Sequence, residues 1–177
     1  MNKVVFDFIK QNKELIRQND FNALYTVAEN GDADRGIESL TGDNIGLLSE
    51  TFRRANVNPL LFMNYVPGEY FYGNYYLDEI IVPGNCKNIE SYAFGGTSIT
   101  KAILEDGVQS INYNAFFRCP RLKRVVLPPS VDFIEEDAIH PHDYKLEIVC
   151  APNSYADRWA REQHKFTIIN TNNFKGW

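Results

Sequence analysis

The chain has 177 residues, of which 44% are hydrophobic and 23% charged; a composition of that kind excludes intrinsic disorder. Eighteen Lys and Arg stand against 23 Asp and Glu, a net charge of −5. That excludes nucleic-acid binding through a broad basic surface, because phosphate neutralisation needs clustered cations.

Along the chain, the first residues lack the apolar core of a signal peptide, since Asp7 and Lys10 interrupt it. No run approaches the roughly 20 apolar residues of a membrane span. A cytoplasmic location without membrane contact is the expectation. Val4, Val5, Phe8, Ile9, Leu15 and Ile16 predict a first helix. Asp20 caps a second through Phe21, Leu24, Tyr25, Val27 and Ala28, ending near Gly31. Asp43 caps a third through Leu47, Leu48, Phe52 and Ala55, and Pro59 starts a short fourth. Residues 1–69 therefore read as a helical N-terminal capping region. Tyr65, Tyr70, Phe71, Tyr72, Tyr75 and Tyr76 then form an aromatic joint. Most of these rings are expected to pack between the helical cap and the C-terminal half of the chain, with hydroxyls reaching water; Tyr70 and Tyr72 are equally suited to a partner.

From there the chain repeats. Leu77-Asp-Glu-Ile-Ile-Val-Pro83, Ile99-Thr-Lys-Ala-Ile-Leu-Glu105, Leu122-Lys-Arg-Val-Val-Leu-Pro128 and Leu146-Glu-Ile-Val-Cys-Ala-Pro152 align at steps of 22, 23 and 24. A second register runs through the first three units: Cys86/Val108/Val131, Ile89/Ile111/Ile134, Ala93/Ala115/Ala138 and Phe94/Phe116/Ile139. One such unit cannot bury its apolar edge alone, so units stack and each column becomes a ladder. Leu77, Ile80 and Val82 are expected inward, and Pro83 and Pro128 end their strands because proline cannot donate to a ladder. The predicted fold is α+β: a short solenoid of about four turns over residues 70–152, with a C-terminal cap and tail over 153–177. In that cap Asn153-Ser154 can cap a short helix from Tyr155 to about His164, with Tyr155, Ala156, Trp159 and Ala160 on one face, and residues 166–169 form a last strand.

The repeat resembles the BspA-like branch of leucine-rich repeats, whose unit reads roughly L-x-x-I-x-I-P-x-x-V-x-x-I-x-x-x-A-F-x-x-C. The middle unit matches through Val108, Ile111, Ala115, Phe116 and Cys119, and the resemblance covers about residues 70–169. It departs at Cys86, where the pattern has Val, and at Ile139, where it has Phe. The resemblance implies a scaffold whose members bind differing partners. The helical leader with Asn58-Pro59-Leu60, Val66-Pro67 and an aromatic run resembles small leucine-rich-repeat proteins encoded by bacteriophages. That implies a host protein as partner, with inhibition of a defence nuclease as one candidate role.

Catalytic motifs are absent: the sequence has no Gly-x-Ser-x-Gly elbow, Walker loop, dinucleotide fingerprint or His-Glu-x-x-His. His140 and His142 flank Pro141, which favours a surface turn over a metal site, and no third ligand is evident. An acidic stretch from Asn30 has Arg35 where a calcium loop needs Gly and Thr41 where it needs Glu, so it reads as a plain loop. Cys86, Cys119 and Cys150, odd in number, read as buried apolar side chains without disulfides. Glu135 and Glu136 read as solvated. No cofactor and no metal is expected.

The outward strand positions carry the functional expectation. Glu79/Lys101/Arg124 and Asp78/Thr100/Lys123 form charged columns, and Ile81/Ile103/Val126 form an apolar row on the exposed face. An apolar stripe with a charged rim suits a protein-binding surface, although β-propensity alone also selects Ile and Val. The expected function is a non-enzymatic protein–protein interaction module. Ile81, Ile103 and Val126 would bind, Glu79 would lie on the rim, and Lys101, Lys123 and Arg124 would orient an acidic partner. The rival readings are an adhesin-like or structural repeat module and a metal-dependent enzyme.

Overall fold

The computed structural model describes residues 58, 60, 63–140 and 145–174. The chain divides into two compact units, Met1–Asn64 and Tyr65–Trp177. The helices expected before Pro59, the acidic loop from Asn30 and His142 lie outside the described residues.

The second unit is a coil of short strands. β1 (Glu79–Val82), β3 (Lys101–Leu104), β5 (Arg124–Val126), β7 (Glu147–Cys150) and β8 (Thr167–Asn170) form a five-stranded sheet in that order. β2 (Asn88–Ile89), β4 (Ser110–Ile111) and β6 (Phe133–Ile134) form a second sheet on another side of the coil. Every strand pair is parallel, as it must be when each turn repeats the path of the last. The expected columns become rows of contact. Ile80, Ala102, Val125 and Ile148 are partners in succession, as are Ile89, Ile111 and Ile134. All seven of these residues are buried. Phe94 stacks on Phe116 with ring centroids 5.1 Å apart and planes 16° from parallel. Fully burying side chains of this size contributes roughly 1.5–3 kcal/mol each, which only the stacked array makes possible.

Two features differ from the sequence expectation. First, the aromatic joint contains another rung of the stack. Val66 bridges Ile89, Phe71 stacks on Phe94 at 5.2 Å and 9°, and the Phe71 N–H donates to the Ala93 carbonyl at 2.9 Å. Tyr75 and Tyr76 do not pack: they are 74% and 99% exposed, because the chain turns there, with the Tyr76 N–H donating to Asn74 Oδ1. Second, β7 pairs one residue away from the frame set by the leading leucines. Arg124 faces Glu147 and Val126 faces Val149, a ladder step of 23. A slip of one residue exchanges the two faces of a strand, so this register decides which side chains point outward.

The turns need close backbone approach. A Cβ on Gly84 would lie 1.9 Å from the Asp106 carbonyl oxygen. Gly107, at φ +113°, would meet Gly84 in the same way. At the next coil Ser130 takes over: its Oγ accepts from the Gly107 N–H and donates to the Val108 carbonyl, both at 2.8 Å.

The far end closes with helix α1 (Tyr155–Gln163). The Ser154 side chain accepts from the Asp157 N–H, and His164 ends the helix in the left-handed region. Ala156, Trp159 and Ala160 are buried as expected, and Trp159 stacks on Phe166 at 5.3 Å. Asp157 is buried too, at 4% exposure. It accepts from the Asn153 N–H, Arg161 Nε and Asn170 Nδ2, each at 3.0 Å. Burial alone would raise its pKa, but these hydrogen bonds, with the Arg161 charge, outweigh burial and hold the carboxyl below its usual value.

Candidate functional site: the outer face of the five-stranded sheet

The strand order and register place Ile81, Ile103, Val126 and Val149 side by side across the sheet. On neighbouring strands about 4.8 Å apart this makes one continuous file. Its exposure is not uniform. Ile81 is 46% exposed and Ile103 half-buried, whereas Val126 and Val149 are both at 0%. The expectation that all three members of the row lie open to solvent therefore fails at Val126.

Residues after β8 border the same row. A cleft of about 730 Å³ is lined by Ile81, Ile103, Val126, Pro128 and Pro129 together with Asn172, Asn173 and Phe174. β8 is the edge strand beyond β7, so residues 172–174 can border Ile103 only by running back over the sheet. A fixed turn sends them there. Thr171 Oγ1 accepts from the Asn173 N–H at 3.0 Å and donates to the Asn173 carbonyl at 3.2 Å. The Thr171 N–H still donates to the Cys150 carbonyl at 2.9 Å, which ties the turn to the sheet. Nothing in the repeat pattern points to residues 172–174; their one sequence signal is Phe174 after the polar run Asn170 to Asn173.

The opposite ends of the same strands carry charge. Glu79, Lys101, Arg121, Lys123, Arg124, Lys145 and Glu147 line a cleft of about 760 Å³, a local excess of cations in a chain of net charge −5. Arg124 is committed to the fold: its Nε donates to Glu147 Oε2 at 2.6 Å and its Nη2 lies 2.5 Å from the same oxygen. Arg121 lies 3.8 Å from Asp78. Lys101 and Lys123 make no ion pair among the described residues, and Lys123 is exposed. Of the three residues expected to orient a partner, Arg124 is thus the one held in an ion pair. Arg121 and Lys145 join the cleft from outside the repeat frame, where sequence columns do not reach them.

The remaining candidates are placed as follows. All three cysteines are buried and free. Burial pushes the Cys86 thiol up to about 12 and Cys150 up to about 11, and raises Cys119 as well. Thiols so shifted stay protonated at neutral pH and are poor nucleophiles. His140 Nε2 lies 2.9 Å from Asn114 Oδ1 and its ring meets Phe117 edge-on at 5.6 Å. Asn114 in turn donates to the Tyr92 hydroxyl at 2.9 Å. His140 is thus part of a polar and aromatic ladder between coils. Among the described residues no group of three or more His, Cys, Asp or Glu side chains could hold a metal ion. None of the described helices is long and apolar enough to cross a membrane. Glu136 is exposed and Glu135 half-buried.

Compared with known proteins, residues 50–156 match a family model described as a BspA type leucine rich repeat region, in six copies. No curated protein and no solved structure gives a significant match.

Proposed function

The chain belongs to the BspA-type leucine-rich-repeat family, and from that premise we propose that it is a non-enzymatic module that docks a protein partner on the outer sheet face. Repeats of this class serve generally as interaction scaffolds. The observation that carries the reading here is the file of exposed Ile81 and half-buried Ile103, bordered by the cleft of Lys101 and Lys123. A rigid sheet loses little conformational entropy on docking, so modest apolar area yields useful affinity. The lysines favour a partner with an acidic rim and speed its approach.

The finer reading is a small phage-encoded protein acting in the host cytoplasm, with a host protein, such as a defence nuclease, as target. The leader motifs Asn58-Pro59-Leu60 and Val66-Pro67 support it by their resemblance to bacteriophage proteins. In the same scheme residues 1–69 form the N-terminal cap of the array and 153–177 its C-terminal cap.

Affinity capture from a bacterial host lysate tests the proposal. Wild-type protein should retain a defined host protein, and Ile103→Asp should lose it while melting at an unchanged temperature. Equal capture by the two proteins would remove this face from the function.

A further inference from the structure

We infer that the outer sheet face receives an extended polypeptide segment carrying an aromatic side chain, and that residues 172–174 are its built-in occupant along the row of Ile103 and Val126. The inference rests on the proposed docking role and names the class of segment the face takes.

Three observations converge. The file is one chemical surface by register, yet Val126 and Val149 are fully buried while Ile81 is 46% exposed. Asn172, Asn173 and Phe174 line one cleft with Ile81, Ile103 and Val126. Finally, the strap is aimed from both ends of its anchor. Arg161 Nη2 donates to Asn170 Oδ1, and Asn170 Nδ2 donates to Asp157 Oδ1, each at 3.0 Å. Thr171 then makes the turn with its hydroxyl. A loose end would not be held by a buried carboxylate, an arginine and a threonine turn in succession.

The strap shows what chemistry the face accepts: an apolar ring among short polar amides, lying across the strands. Ile81 and Ile103, open and half-buried on the same row, continue the line for a partner segment. A partner long enough to reach Val126 must displace the strap. A tethered competitor acts at an effective concentration on the order of millimolar, so the face in the intact chain is partly self-blocked.

The test uses the full chain and a synthetic peptide with the sequence of residues 169–177, followed by NMR of the Ile and Val methyl groups. Phe174→Asp, which ejects the strap's ring, should bind the peptide about tenfold more tightly than wild type does, with shifts at Ile103 and Val126. Thr171→Val, which deletes the turn and leaves the sheet untouched, should act in the same direction and serves if Phe174→Asp misfolds. A peptide carrying Asp in place of Phe174 should not bind. Equal affinity of wild type and strap variants for the peptide, or no binding to any of them, overturns the inference. Such a failure beside lost host-protein capture by Ile103→Asp leaves the docking role standing; unchanged capture by Ile103→Asp removes both.

Discussion

The two halves of one sheet face carry the same kind of residue and meet different fates. Over β1 and β3 the row is Ile81 and Ile103, open or half-open. Over β5 and β7 it is Val126 and Val149, sealed. Strand register makes the row, but register alone does not decide which part of it water reaches. Identical local patterns can thus be surface at one end of a solenoid and interior at the other.

The sharpest way to separate the halves is charge. Val126→Asp places a carboxylate in a sealed apolar site, and a thermal or urea melt should show a loss of about 3–5 kcal/mol. Gly84→Ala strikes the coils that carry the open half, since its Cβ would lie 1.9 Å from the Asp106 carbonyl oxygen after β3. Forcing two coils apart should cost about 2–4 kcal/mol in the same melt.

Asp157→Asn comes next and bears on the covered half alone, because Asp157 holds Asn170 at the root of the strap. It should cost about 1–3 kcal/mol at neutral pH. The sign of the pH effect comes from the depressed pKa. The stabilisation is fully present above the unfolded carboxyl value of about 3.9 and disappears as pH falls through the lower folded value. Wild type should therefore lose this increment on acidification and the variant should not, as melts between pH 7 and pH 2 would show. The smallest effect belongs to the open half: Ile81→Asp should change stability by no more than about 0.5 kcal/mol.

Much of this architecture is readable from the chain. The columns through Ile89, Ala93 and Phe94 recur at 22 and 23 residues, and a repeat that aligns in several columns at once leaves little freedom in how its coils stack. The rung before β1 is hidden in the sequence because Tyr70 stands where later units have Ala, so only Val66 and Phe71 keep the period. The frame of β7 is obscured because Leu146 lies 24 residues after Leu122, while its strand pairs at 23 and thereby brings Glu147 to Arg124. The sealing of Val126 has no sequence signature at all. Hydrophobic periodicity reports only which way a side chain points from its own strand, not what the rest of the chain brings against it.

Thiol labelling of two single-cysteine replacements, Ile81→Cys and Val126→Cys, measures the split of the face directly. The three native cysteines form a silent background, being buried with raised pKa values. Under native conditions Ile81→Cys should react at nearly the rate of the unfolded chain, and Val126→Cys at least about a hundredfold more slowly, in keeping with a thiol reached only through local opening. Equal labelling rates at the two positions would contradict the account.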